Sequence, residues 1–208
     1  MHITVIGASS GVGLLTVQQA LAKGHYVTTL SRTTGTLPNH PRLTKAIGSA
    51  TSAADLGRVL AGAEAVLVTV GTTKKNATPL FTDTARALLE ATASAPLTAP
   101  VLVLTGFGAG ASAAFLGWFM RLVIQLFLKQ EYIDKTRLEE MLTHSSLQWE
   151  IVRPGILTND PQTGTYRVLP NLTSGMKVGK IARADVADFL LRQAEHPTFL
   201  HQYPALTN

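Results

Sequence analysis

Cysteine is absent from the 208-residue chain. That removes disulfides, thiolate nucleophiles and cysteine-ligated metals from its chemistry, and it fits a reducing compartment. Its six histidines, His2, His25, His40, His144, His196 and His201, show no metal-ligand spacing, and no paired-carboxylate motif accompanies them, so no metal is expected. Aromatic residues are only 6% and charged residues 15% of the chain. The net charge of +5, from 18 basic and 13 acidic residues, is spread out. Lys74-Lys75 is the one adjacent basic pair, and no stretch interleaves basic and aromatic side chains, so a nucleic-acid partner is not expected. The excess charge instead suits a phosphorylated small molecule and solubility.

No apolar run reaches the ~20 residues of a membrane span. The longest, residues 113–128, carries Arg121 and Gln125, followed by Lys129, at intervals of four. These would form a narrow polar stripe on an otherwise apolar helix. A core helix or pocket wall is the preferred reading, ahead of a membrane-surface or dimer-contact role, and the oligomeric state stays open. The first strand starts at about residue 3, which leaves no room for a targeting segment before it. A cytoplasmic protein is expected.

Apolar runs at 3–6, 26–30, 43–47, 65–70, 101–104 and 150–152 alternate with helical patterns at 14–23, 53–60, 80–93, 135–142 and 185–195. Strands apolar on both faces and separated by helices describe an α/β fold, a doubly wound parallel sheet in one domain spanning 1–208. Residues 156–208 are expected to add a small substrate-side cap. Each strand ends in small or polar residues, Gly7-Ala8-Ser9, Ser31-Arg32, Gly71-Thr72, Thr105-Gly106 and Arg153-Pro154-Gly155. Connections of the usual right hand would gather these ends around one crevice.

The first of those ends carries the most information. Gly7-Ala8-Ser9-Ser10-Gly11-Val12-Gly13 joins an apolar strand to a helix, and its glycines allow the backbone to approach an anion at the helix N-terminus, as in a dinucleotide pyrophosphate site. Ser9 and Ser10 add hydroxyl donors. At the end of the second strand, where an acid would bind the ribose hydroxyls of NAD, stands Ser31-Arg32-Thr33. A guanidinium cannot accept those hydrogen bonds but pairs with a 2′-phosphate, which points to NADP(H) over NAD(H).

With these segments the chain resembles the short-chain dehydrogenase/reductase superfamily, and within it the atypical branch of NADPH-dependent biliverdin-IXβ and flavin reductases. The resemblance covers nearly the whole chain. Its carriers are Gly7 to Gly13, Leu30-Ser-Arg32, Val70-Gly-Thr72, Lys135-Thr-Arg-Leu-Glu139, Trp149-Glu-Ile-Val-Arg-Pro-Gly155, Pro161-Gln-Thr-Gly-Thr-Tyr166 and Ile181-Ala-Arg-Ala-Asp-Val-Ala187. It implies that Gly7 to Gly13 hold the pyrophosphate and Arg32 the 2′-phosphate. It places Gly71 and Thr72 beside the adenosine ribose and pyrophosphate, Thr105 and Gly106 under the nicotinamide ribose, and Pro154, Gly155 and Ile156 against the carboxamide. Lys135 matches the lysine that contacts the nicotinamide ribose.

The chain departs from that pattern at three places. The superfamily's catalytic tyrosine precedes the lysine by four residues, and Glu131 stands there. Tyr132 comes one position late, a rotation of ~100° around a helix, and reads as a packing residue. Gly106 replaces a frequent serine, and Ser49-Ala50 replaces an adenine-contacting acid. Glu131, Tyr132 and Lys135 are therefore the candidate catalytic residues, with no role settled. Without the tyrosine, ordinary ketone reduction lacks its proton donor. A conjugated planar electron acceptor such as a flavin, bilin or quinone spreads the incoming charge and takes its proton from solvent. Phe107, Phe115, Trp118 and Tyr166 are candidates to wall that acceptor's pocket. A non-catalytic NADP(H)-sensing or scaffold protein is the alternative.

Overall fold

The apolar segments lie side by side in one sheet. In the computed structural model, which describes residues 1–72, 79–173 and 175–208, their order is β3 (Leu43–Ile47), β2 (Tyr26–Ser31), β1 (His2–Ile6), β4 (Ala65–Val68), β5 (Val101–Leu104) and β6 (Trp149–Pro154), all parallel. The chain winds outward in both directions from β1. A crevice therefore opens between the carboxyl ends of β1 and β4, where a doubly wound sheet binds its ligands. The Lys74-Lys75 pair lies outside the described residues.

Burial on both faces explains why these strands are continuously apolar. On one side Ile3, Val5, Leu67 and Leu102 pack with Val17 and Ala20 of α1 (Gly11–Ala22) and with Leu190 and Leu191 of α6 (Arg183–Glu195). On the other, Ile6, Val66 and Val68 meet Leu56 of α2 (Ala53–Leu60), Phe81 and Leu88 of α3 (Leu80–Ser94), and Leu138 and Leu142 of α5 (Lys129–Thr143). Each such Leu, Val, Ile or Phe contributes roughly 1.5–3 kcal/mol when fully buried.

To the apolar packing between α5 and α3 a single carboxylate adds directional bonds. Pro79 begins α3 without a capping side chain, and Asp134 of α5 supplies the cap from across the interface. It accepts from the Phe81 N–H at 2.8 Å, the Thr82 N–H at 3.0 Å and the Thr82 hydroxyl. This fixes the rotation of α5 and so the direction of its next residue, Lys135. A second buried carboxylate, Asp185 in the first turn of α6, accepts from the Thr163 and Gly164 N–H groups and the Thr163 hydroxyl, each at 2.8 Å. The Thr163-Gly164-Thr165 turn and the Arg183-Ala184-Asp185 helix start are thus two halves of one contact.

Beyond β6 the structure adds short strands. β10 (Ala205–Thr207) joins β6 in parallel, and β8 (Arg167–Leu169) closes the edge antiparallel to β10. β7 (Ile156–Thr158) and β9 (Lys180–Ala182) form a separate parallel pair. Strands of three residues carry little periodic signal, and of these only the stretch 166–169 alternates in the sequence. Of residues 156–208, expected as a cap, α6 and β10 belong to the main body, and the β7–β9 pair reaches the crevice.

Residues 113–128 correct the expectation of a core helix or pocket wall. α4 (Trp118–Val123) buries nothing, and within 117–128 only Ile124 is buried. The segment continues through a wider i→i+5 turn, Ile124–Leu128, into α5, so that helix starts six residues before the expected 135. No helix among the described residues is long and apolar enough to cross a membrane.

Candidate functional site

A cleft of about 670 Å³ lies over the carboxyl ends of β1, β2, β4 and β5. Its floor is the glycine turn. Gly7 has φ of +88°, and a Cβ there would lie 2.8 Å from the Val70 nitrogen. A Cβ on Gly13 would overlap the Gly7 carbonyl oxygen and the Thr69 hydroxyl. These two glycines bring the turn, the strand end and the start of α1 closer together than side chains allow. Ser10 precedes α1 in an extended conformation and its hydroxyl caps nothing. The N–H groups of the first turn therefore remain available to an anion, without an acidic side chain nearby in the turn to compete.

The nucleotide side is built from loops. Ser31 points inward: its hydroxyl accepts from the Ala8 N–H at 3.0 Å and braces the turn. Arg32 stands exposed at the rim of the cleft, and among the described residues no hydrogen bond or ion pair ties its guanidinium. Gly48, Ser49, Ala50 and Thr51 form the facing wall. Where the resemblance led one to expect an acid, Asp55 of α2 lies behind that wall instead. It accepts from the Ser49 N–H at 2.9 Å, and that bond and the Arg58 guanidinium hold its carboxyl below the usual range.

The 181–187 segment also brings Arg183 to the turn. Its Nε lies 3.9 Å from where a Gly11 Cβ would be. Its Nη1 donates to the Asn159 side chain at 2.8 Å and the Leu157 carbonyl at 3.3 Å. The β7–β9 pair thereby holds a cation beside the N-terminus of α1.

At the opposite end, Lys135 and Glu131 both face the cleft and pair at 2.7 Å. Four residues apart on α5, they share one helical face. The Lys135 ammonium also lies 5.2 Å from the Phe81 ring centre and 4.9 Å from that of Tyr132. Thr105 lines the same end and donates its one hydroxyl proton to Glu139 at 2.7 Å. Glu139 is in turn gripped by Arg153 at 3.1 and 2.6 Å, both side chains being buried. Arg153 lies 4.3 Å from the Tyr203 ring centre. With its proton committed, the Thr105 oxygen offers the cleft only an acceptor.

Tyr132 does not line the cleft, but its hydroxyl lies on the Lys135 side of its helix, 3.3 Å from where a Gly106 Cβ would be, with the Lys135 ammonium 3.7 Å from the same point. The Tyr132 ring sits 3.0 Å from the corresponding point on Gly108. These two glycines make room for the ring. Burial, with the nearby Glu131 charge second, pushes the phenol up to about 12, so the proton is held more tightly than in free tyrosine.

Other expected residues fall elsewhere. Gly7, Ser9, Ser10, Gly11, Val12, Ser31, Arg32, Gly71, Thr72 and Thr105 line the cleft; Ala8, Gly13, Thr33, Gly106, Pro154, Gly155 and Ile156 do not. Ala8 and Gly13 act from beneath the turn, and Gly155 packs so closely on Gly179 that a Cβ would strike its carbonyl. None of the four expected acceptor-pocket aromatics lines the cleft. Phe107 is core, Phe115 is half-buried and Trp118 is exposed. Tyr166 packs edge-on against Phe189 and donates to Asp188 at 2.9 Å, and burial followed by that bond raises its pKa. Leu80, Phe81, Asp83 and Leu157 line the cleft without having been anticipated.

The donor set fits a dinucleotide: a cradle closed to side chains, free N–H groups, two arginines, and an acceptor oxygen and an ammonium at the far end. A family model described as NAD(P)H-binding matches residues 7–197. Among solved structures, the oxidoreductase ylbE of Lactococcus lactis superposes with a TM-score of 0.85 at 18% identity, covering 100% of this chain and 91% of its own. A short-chain dehydrogenase/reductase of Veillonella parvula in complex with NADP gives 0.84 at 16%, covering 100% and 94%. ChuY of Escherichia coli O157:H7, described as an anaerobilin reductase, gives 0.80 at 22%, covering 100% and 97%.

Proposed function

The chain belongs to the NAD(P)H-binding family, and from that membership and the geometry of its cleft we propose that it is a cytoplasmic NADPH-dependent reductase of a conjugated planar acceptor, a flavin, bilin or quinone. The observation that carries the reading is the pairing of opposite ends of one cleft. Among the described residues no hydrogen bond or ion pair ties Arg32 at the nucleotide rim, while Glu131 and Lys135 line the opposite end and Tyr132 does not.

In this reading the Gly7–Gly13 turn and Arg183 hold the pyrophosphate, and Arg32 selects the 2′-phosphate. Lys135 donates to the ribose hydroxyls of the nicotinamide end, and the Thr105 oxygen accepts from the same end. The cofactor, when bound, supplies a hydride. Tyr132 is given no proton-donating role in this reading, because it does not line the cleft and burial raises its pKa. The protein's task is to align the acceptor and exclude water, which suits an acceptor able to spread the added charge. The proton then comes from solvent, with Glu131 positioned to relay it into the cleft. The ChuY likeness is one of fold and is compatible with a bilin-sized acceptor.

The test is NADPH oxidation followed by absorbance with FMN, FAD, biliverdin and a small quinone supplied in turn, with NADH as the control donor. Turnover with one acceptor, faster with NADPH, is expected and identifies the acceptor class. Tight NADPH binding with no turnover on any of them would replace this reading with a non-catalytic NADP(H) sensor.

A further inference from the structure

The segment before α5 leaves an apolar face that none of the described residues covers. Trp118, Phe119, Leu122, Leu126 and Phe127 are 46 to 79% exposed. In a continuous α-helix, at 100° per residue, Phe127 would stand well away from the direction of Trp118. The i→i+5 turn at Ile124–Leu128 advances less per residue, and so brings Leu126 and Phe127 back onto the face that Trp118, Phe119 and Leu122 begin. Ile124 points the other way and is the anchor: its Cδ1 reaches within 2.9 Å of a Cβ built on Gly108. Arg121, Gln125 and Lys129 run along the border as an exposed polar stripe.

The charge of this region is of one sign. From Glu90 to Glu131 the sequence contains no acidic residue, and the only charged side chains between them are Arg121 and Lys129. The first acid beyond, Glu131, is already paired with Lys135. Two copies meeting on this face would set cationic stripes against each other with no carboxylate in the segment to answer them. An anionic surface meets both demands, taking the aromatic and leucine side chains among its acyl chains and the two cations at its headgroups.

We infer that the 118–129 face docks on the surface of a bilayer containing anionic phospholipid, lying in the interface without crossing it. Binding combines apolar burial with electrostatic attraction and is therefore salt-sensitive. The inference stands apart from the reductase reading, since neither the cofactor nor an acceptor enters it.

The experiment is flotation of the purified full chain with vesicles of phosphatidylcholine alone and of phosphatidylcholine with phosphatidylglycerol, at low and at high salt. Tryptophan emission is recorded alongside: Trp118 is exposed and Trp149 is buried, so only the former reports on docking. Flotation with the anionic vesicles, a blue shift, and loss of both at high salt are expected. The double variant Trp118→Ser, Phe127→Ser should bind at least about tenfold more weakly with an unchanged thermal midpoint, since both side chains are exposed. A chain that stays with the buffer at low salt, or floats equally with neutral vesicles, overturns the inference. So does a dimer by light scattering that the same double variant converts to monomer, which would make a second copy the occupant.

Discussion

Three charged side chains carry separable predictions. Arg32 touches only the nucleotide rim, so Arg32→Ala should weaken NADPH binding by about tenfold or more, the value of a charge-assisted contact, and leave NADH binding unchanged. Arg183 stands at the glycine turn, which both dinucleotides share, so Arg183→Ala should weaken NADPH and NADH alike. Titrations of the two variants with the two cofactors distinguish these roles, and an equal loss for both cofactors in Arg32→Ala would remove the 2′-phosphate assignment. Arg32 was legible because its position after the second strand has a known chemical meaning. Arg183 was not, because it reaches the turn through the β7–β9 pair, which lies about 150 residues further along the chain. The third side chain is Glu150, fully buried on β6 with neither carboxyl oxygen hydrogen-bonded among the described residues. Burial pushes it up to about 8. The native state then binds the proton that the unfolded chain releases above its ordinary value near 4.5. Stability contributed by this group is full below that pH, falls as pH rises from about 4.5 to about 8, and levels off above. Glu150→Met should flatten that slope and raise stability at pH 8 by about 2–4 kcal/mol, read from denaturant midpoints at pH 5 and pH 8.

Helix α5 shows what decides the position of an element when its own sequence does not. Its apolar pattern is clear only from residue 135 on, because its first turns carry Lys129, Gln130 and Glu131 and continue an exposed helix in place of starting from a cap. What sets its rotation is the bond from Asp134 to the start of α3, a contact between elements with no signature in either sequence. Removing it leaves the Phe81 N–H and Thr82 donors without their acceptor. Asp134→Ala should therefore cost about 2–3 kcal/mol, seen as a lowered denaturant midpoint with an unchanged slope. Because Lys135 follows Asp134 directly, the same variant should also weaken dinucleotide binding, whereas Asp134→Asn, which retains an acceptor oxygen, should recover part of both losses. The apolar run at 113–128 failed as a core prediction for a complementary reason. Composition marks a side chain as apolar but does not say whether the fold supplies a surface to cover it, and among the described residues none covers Trp118, Phe119, Leu122, Leu126 or Phe127.

The central strand order was within reach of the sequence, since alternating apolar strands and helices with right-handed crossovers leave few arrangements around a glycine turn placed on the first strand. The far edge was not, because β8 and β10 owe their places to a three-residue pairing across the chain's last residues. The consequence for function is that the cleft draws its walls from both halves of the molecule: turns after β1, β2 and β4 on one side, α3, α5 and the end of β5 on the other. A dinucleotide that spans it should tie the halves together, but a thermal shift alone would not reveal this. At a hundredfold excess over its Kd any ligand stabilises by about 2.7 kcal/mol, or about 5–10 °C for a domain of this size, whichever residues it touches. Amide hydrogen exchange separates the cases. NADPH and 2′,5′-ADP, each at saturation, should both slow exchange at the Gly7–Gly13 turn and around Arg32. Only NADPH should also slow it along the Glu131 to Lys135 turn of α5 and at Thr105, because only the longer ligand reaches the ammonium and the acceptor oxygen held there. Equal protection by the two ligands would mean that the nicotinamide half does not engage α5, and the assignment of Lys135 and Thr105 to that end would be wrong.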